Sequence, residues 1–230
     1  MTKTLQIIVA RYNEDLSWLP ECIALLEELS DLQCSAIVYD KSNNPLPGAV
    51  SLPNTGRESH TYLSHIVRKC SELSDYNVFL QGNPFPHLLQ EQNGDVSNLV
   101  DKILQYVQKD TPFGAMAWFK YRCDALGQPH DLRKPENKGR WNGWGRDIPV
   151  GAVFQKLFAM PVPQTLICRG MTGNFMVTRE RILCRTLAFY MKALAIIEAD
   201  SRDEYNTGHA FERLWGQIFS GAGTRLHSGR

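Results

Sequence analysis

The sequence predicts an α/β fold: a mainly parallel sheet with helices on both faces. Three observations carry that expectation. Strand-length runs at Leu5–Ala10, Ser35–Tyr39 and Val78–Leu80 are too continuously apolar for a sheet with one wet face. Segments with helical apolar stripes alternate with them, the pattern of βαβ units with right-handed crossovers. Hydrophobic residues make up 43% and charged residues 21%, a balance that supports a sizeable core and argues against disorder.

Taken in order, Leu5–Ala10 is a buried strand, and Trp18–Leu29 places Leu19, Ile23, Leu26 and Leu29 on one helical stripe. Ser35–Tyr39 is a second strand, ending at Asp40 and running into the turn-rich Lys41-Ser42-Asn43-Asn44-Pro45. Ser59–Ser74 carries Leu63, Ile66, Val67 and Leu73 at near-helical spacing, and the third strand follows at Val78–Leu80. Val96–Gln108 is an amphipathic helix. Gly127, Pro129, Pro135, Gly139, Gly143, Gly145 and Pro149, with Trp141 and Trp144, then give 122–150 the composition of a long irregular insertion of functional type. Order returns in a strand within Thr172–Thr178, a helix over Arg181–Ile197 and a last helix over Ala210–Phe219. With 230 residues and no internal repeat, 1–230 is expected to be a single domain.

Several function classes drop out. The formal net charge is +1 with no long basic run, which disfavours nucleic acid as a partner. The first apolar run is short and is followed at once by Arg11, Glu14 and Asp15, so neither a signal peptide nor a membrane span is expected, and the chain is read as cytoplasmic. The six cysteines form no CxxC pair and are expected to be reduced. No GxxxxGK[ST] loop, GxSxG elbow, HExxH pair or GxGxxG fingerprint occurs.

Five polar clusters remain. Arg11-Tyr12-Asn13-Glu14-Asp15 follows the first strand, where α/β folds hold ligands, although Asp15 or Ser17 also suits a helix cap. Asn54–Tyr62 puts Gly56 and Arg57 at a helix start, a good anion cradle. Gln81-Gly82-Asn83-Pro84-Phe85-Pro86-His87 hangs from the third strand and offers amides for hydrogen bonding and, in His87, a group able to move a proton. Thr172-Gly173-Asn174 leads into a strand. On the last helix, Glu212 stands beside Arg213 and Trp215 as a candidate base. A metal or acid–base centre of His60, His65 and His87 is disfavoured, because residues five apart on an ideal helix diverge by about 140°.

The blocks VARYNEDLSWL (Val9–Leu19), LPNTGRESHTYLSHI (Leu52–Ile66), VFLQGNPFPH (Val78–His87), GNFMVTRERI (Gly173–Ile182) and ERLWGQIF (Glu212–Phe219) resemble the domain-of-unknown-function family numbered 3431. That family is in turn similar to GT-A glycosyltransferases in its order of elements. The resemblance implies an enzyme that transfers a sugar from a nucleotide-sugar donor to a glycan or small-molecule acceptor, the alternative being a non-catalytic carbohydrate- or nucleotide-binding module of that fold. It implies that Arg11, Tyr12, Asn13, Glu14 and Asp40 hold base and ribose, and that Gln81 and Asn83 stand in the turn where those enzymes carry Asp-x-Asp. There it implies a Mn²⁺ or Mg²⁺ ion, although this turn reads Gln-Gly-Asn. Arg57 and His87 are expected at the diphosphate, Asn174 beside the donor, and Glu212, with Asp147 as second choice, as the acceptor-side acid.

Overall fold

The structure, a computed structural model, describes residues 2–119, 121–128, 147–169 and 172–219. Among them the chain runs β1 (Thr4–Arg11), α1 (Trp18–Glu28), β2 (Gln33–Asp40), β3 (Val50–Ser51), α2 (Arg57–Lys69), β4 (Tyr76–Gln81), α3 (Val96–Gln108), β5 (Phe113–Ala115), β6 (Tyr121–Cys123), α4 (Val150–Phe158), β7 (Leu166–Cys168), β8 (Phe175–Thr178), α5 (Arg179–Leu183), α6 (Leu187–Glu198) and α7 (Thr207–Ile218). The α/β class is as expected.

The sheet order is β3-β2-β1-β4-β8-β5. β1 lies between β2 and β4, parallel to both, in registers that bring Arg11 beside Asp40 and Ala10 beside Gln81. The mainly parallel sheet expected from sequence is corrected here: the sheet is mixed, because β8 pairs antiparallel with both β4 and β5. The cause is topological. After β5 the chain makes a long excursion and returns at the end of the sheet where β4 finishes, where Asn174 meets Gln81, so β8 can fill the gap only by running backwards.

Strand alternation divides the core. Leu5, Ile7 and Val9 point to one face with Val78 and Leu80, under α1 and α3. Ile8 and Ala10 point to the other with Phe79 and Phe175, under α2, α4, α6 and α7. Burial on both faces is what made these strands read as unbroken apolar runs.

The expected helix over Arg181–Ile197 is two helices. Thr186 breaks it by adopting extended backbone and capping α6, its hydroxyl accepting from Phe189 N–H at 3.3 Å. Of the expected 122–150 insertion, residues 129–146 lie outside the described set. Its flanks are ordered: β6 pairs antiparallel with β7, and α4 begins at Val150. No helix among the described residues is long and apolar enough to cross a membrane, and the six cysteines are free.

Candidate functional site

The crossover from β1 leads to β2 on one side, while β4 is laid down on the other. This strand-order reversal leaves a crevice beyond the C-terminal ends of β1 and β4, the usual ligand position in open α/β sheets. A cleft of about 400 Å³ opens there. Its walls come from four places: Arg11, Tyr12 and Glu14 after β1, Lys41 after β2, Asn54, Arg57 and Glu58 at the start of α2, and Gln81, Asn83 and Pro86 after β4.

The β1 loop is organised from within. The Glu14 carboxylate accepts the backbone N–H groups of Tyr12 at 2.7 Å and Asn13 at 3.1 Å. Arg11 donates through Nε to Glu14 O at 2.9 Å and through Nη1 to Asp40 Oδ2 at 2.5 Å. Asp40 is buried and also accepts Ser42 N–H and Leu46 N–H. Burial alone would raise its pKa, but these donors outweigh it and hold the carboxyl below the ordinary aspartate value. Asp40 is therefore a brace for the β1 and β2 loops and does not line the cleft. Tyr12 is exposed on the wall, and Asn13 lies on the exposed loop tip.

Lys41 is the least expected wall residue. Its side chain is buried, with Nζ donating to Thr55 O at 2.6 Å and to Arg57 O. Burial pulls its pKa down to about 8, with the Glu58 charge opposing the fall. Those two carbonyls belong to the segment entering α2, so Lys41 ties the end of β2 to the helix start. Gly56 makes that start possible: it is left-handed (φ 57°), and a Cβ there would lie 2.1 Å from Ile197 Cγ2. Arg57 lines the cleft and pairs through Nε with Asp203 Oδ2 at 3.6 Å.

Behind Glu58 lies Glu212. The Glu212 side chain is only 14% exposed, and its Oε2 lies 3.8 Å from Arg213 Nη1. Burial first, and then the Glu58 charge, push the Glu212 pKa far above the usual carboxylate range, against the pull of Arg213 and Arg57. The expected acid is thus present but is not among the lining residues, whereas Glu14 and Glu58 are.

The remaining expected residues divide. Gln81 and Asn83 line the cleft. Asn174 is buried and structural: its Oδ1 accepts Gln81 N–H at 2.8 Å and its carbonyl accepts Met116 N–H. His87 is exposed, packs its ring against Phe119 at 5.7 Å, and is not among the lining residues. Asp147 is exposed and accepts from Gln128. The three histidines stay apart, as their spacing required: His65 Nδ1 meets Tyr39 Oη at 3.0 Å, and His60 lies 3.6 Å from Glu198. Burial lowers the pKa of both helix histidines to about 4, so at neutral pH the His60–Glu198 contact joins a neutral ring to a carboxylate.

The donor set does not suit a hard divalent cation. The β4 turn offers amides, Asp40 spends both oxygens on backbone N–H groups and Arg11, and Glu14 Oε2 accepts two backbone N–H groups. Among the described residues no group of three or more His, Cys, Asp or Glu side chains could hold a metal ion. The cationic side chains at this cleft are Lys41, Arg57 and Arg11, the last paired with Asp40.

Sequence reasoning missed Lys41 and Glu58 as wall residues. Lys41 had a signal, since it follows directly on a strand-terminal acid at the ligand edge of the sheet. Glu58 stood inside the polar cluster at the helix start, overshadowed by its neighbour Arg57.

The chain has an α/β fold with a polar cleft at the strand-order reversal of its sheet. More particularly, residues 7–227 match the family described as "Protein of unknown function (DUF3431)", and the chain belongs to that family. No match to a curated protein was found.

Proposed function

We propose that the chain transfers a sugar from a nucleotide-activated donor, as the GT-A glycosyltransferases that its family resembles do. The observation that carries the reading is the meeting, in one cleft at the strand-order reversal, of three cationic side chains (Arg11, Lys41 and Arg57), two carboxylates (Glu14 and Glu58) and three amides (Asn54, Gln81 and Asn83). In this reading Tyr12 and Glu14 bound the base and ribose, and Gln81 and Asn83 hydrogen-bond the donor sugar. Lys41 and Arg57 neutralise the diphosphate, the task that a metal ion performs where an Asp-x-Asp turn supplies one. An acceptor hydroxyl attacks the anomeric carbon, the bond from that carbon to the diphosphate oxygen breaks, and the hydroxyl proton passes to Glu58.

The test is thermal stabilisation by UDP, GDP, CDP and dTDP sugars, with and without Mn²⁺, followed by assay for acceptor-driven release of the nucleoside diphosphate. Stabilisation that needs no Mn²⁺, with release, is the expected result. No stabilisation by any of the four nucleotides would overturn the proposal. The Gln-Gly-Asn turn favours one second reading, a binding module without turnover; binding with no release under any acceptor would establish it instead.

A further inference from the structure

Two of the thiols meet away from the cleft. Cys123 lies in β6 and Cys168 in β7, the short antiparallel strands that form a sheet of their own. In their register Tyr121 stands opposite Cys168 and Cys123 opposite Leu166. The two cysteines are therefore diagonal neighbours, and the two-residue period puts both side chains on one face of the ladder. Their Sγ atoms are 3.4 Å apart, although the residues stand 45 apart in the chain, and both side chains are buried. Cys168 Sγ also lies 3.8 Å from Leu166 O.

Within the pair the thiols differ. The hydrogen bond from Cys168 lowers the Cys123 pKa, and the Arg213 charge adds to the fall, against burial and Asp124. The same bond, and then burial, raise that of Cys168. Cys22 and Cys34, where burial is the leading cause, are pushed up to about 12 and about 11. Cys123 is thus the one of these four that ionises most readily, and the thiolate is the form that attacks a disulfide. β7 is also fastened onward: Ile167 O accepts Gln217 Nε2 at 2.8 Å and Arg169 O accepts Gly216 N–H at 3.1 Å, which ties it to α7. A bond between the two sulfurs would fasten β6 to that assembly as well.

We infer that Cys123 and Cys168 form a disulfide that staples β6 to β7. It is made by exchange with a low-molecular-weight disulfide such as oxidised glutathione as the chain folds, before packing closes over the sulfurs. The Cys123 thiolate attacks one sulfur of that disulfide, and the other half leaves as a thiolate. The Cys168 thiolate then displaces the half that remains on Cys123. One S–S bond breaks and one forms, the chain loses two electrons to the small disulfide, and the two thiol protons end on the released thiols. The staple is independent of any reaction at the cleft.

The test uses the full chain, unfolded in urea with reductant and refolded either in mixed reduced and oxidised glutathione or in reduced glutathione alone. Thiols are counted in each folded product after denaturation, and linked peptides are mapped by mass spectrometry. In the mixed buffer two of the six thiols should disappear, and the Cys123 and Cys168 peptides should be joined. A folded product with all six thiols free, a bond between any other two cysteines, or glutathione left on Cys123 with Cys168 free overturns the inference. The oxidised product should melt about 5–15 °C above the reduced one, as a bridge that closes a loop of this size implies for a chain of this length. That difference should vanish in Cys123→Ala and in Cys168→Ala. Where a variant does not fold, melting of the oxidised native chain before and after reduction with a phosphine decides alone, and equal melting temperatures there overturn the staple.

Discussion

On the face covered by α1 and α3, the side chains buried against the sheet are largely aliphatic: Leu5, Ile7, Val9, Leu19, Leu26, Leu99, Val100 and Ile103. On the face covered by α2 and α7 they are aromatic and polar. There Phe175 packs within 6 Å of Tyr62, Phe79, Phe113, Trp215 and Phe219, and Ser59, His60, Thr61 and His65 are buried on α2 alone. The buried side-chain atoms without a hydrogen-bond partner gather on this second face too, among them Thr61 Oγ1, Tyr62 Oη, His65 Nε2 and Trp215 Nε1. Unsatisfied buried polar atoms cost stability, commonly about 1–3 kcal/mol each. The first face is thus packed mainly from groups that need no partner, while the second carries most of the buried polar groups.

The widest test of that division compares Phe175→Ala with Leu99→Ala. Both side chains are fully buried, and urea unfolding should show losses of about 3–5 and 2–5 kcal/mol respectively. Only the first should also weaken nucleotide binding. Equal effects on binding would show that the faces are not functionally distinct.

Acid comes next. His60 and His65 have folded pKa values of about 4 against an ordinary value of 6.5, so the unfolded chain takes up protons first as pH falls. Stability is fully present above about 6.5 and is lost as pH falls towards 4, by on the order of 3 kcal/mol for each buried ring. Urea titrations at pH 7 and pH 4.5 should show that loss in the native chain and a smaller one in His65→Gln. A slope unchanged by the substitution would mean that His65 is not buried in its neutral form.

Lys41→Ala should weaken inorganic pyrophosphate binding at pH 7 by about 1.5–3 kcal/mol, the worth of a charge-assisted hydrogen bond. In the native chain that affinity should fall as pH rises through about 8, where Lys41 loses its proton. Calorimetry across pH 6.5 to 9.5 checks both, and a flat profile would remove Lys41 from the anion site. The smallest expected effect is that of Tyr62→Phe. Deleting a buried hydroxyl that lacks a partner should change stability by under about 1 kcal/mol and not reduce it. A clear loss would reveal a hydrogen bond made by that hydroxyl.

The division between faces was half legible in the sequence. Runs such as Leu5–Ala10 and the stripe of α3 announce themselves, because burial on both sides of a strand or one side of a helix leaves a period. The three-residue strands β5, β6 and β7 are too short to carry one, and β8's reversed direction depends on where a long excursion re-enters the sheet. The site followed the same rule. Arg11, Tyr12, Glu14, Gln81 and Asn83 line the cleft and stood out in the sequence because they follow strand ends. The packing of α7 on α2, where the Ser59 hydroxyl donates to Gly208 O, joins residues far apart in the chain, which no local pattern records.

The cleft between β1, β2 and α2 is proposed to bind a nucleoside diphosphate through Lys41 and Arg57. Calorimetric titration of the nucleoside diphosphate selected by the stabilisation screen tests it directly, in the native chain, Arg57→Ala and Arg57→Lys. Arg57→Ala should weaken binding by about 1.5–3 kcal/mol, with Arg57→Lys recovering only part because an ammonium cannot reproduce the guanidinium fork. Its melting temperature should change little, since the partly exposed pair with Asp203 is worth at most about 1 kcal/mol. A lowered melting temperature with unchanged affinity would contradict the claim and leave Arg57 as a brace for Asp203.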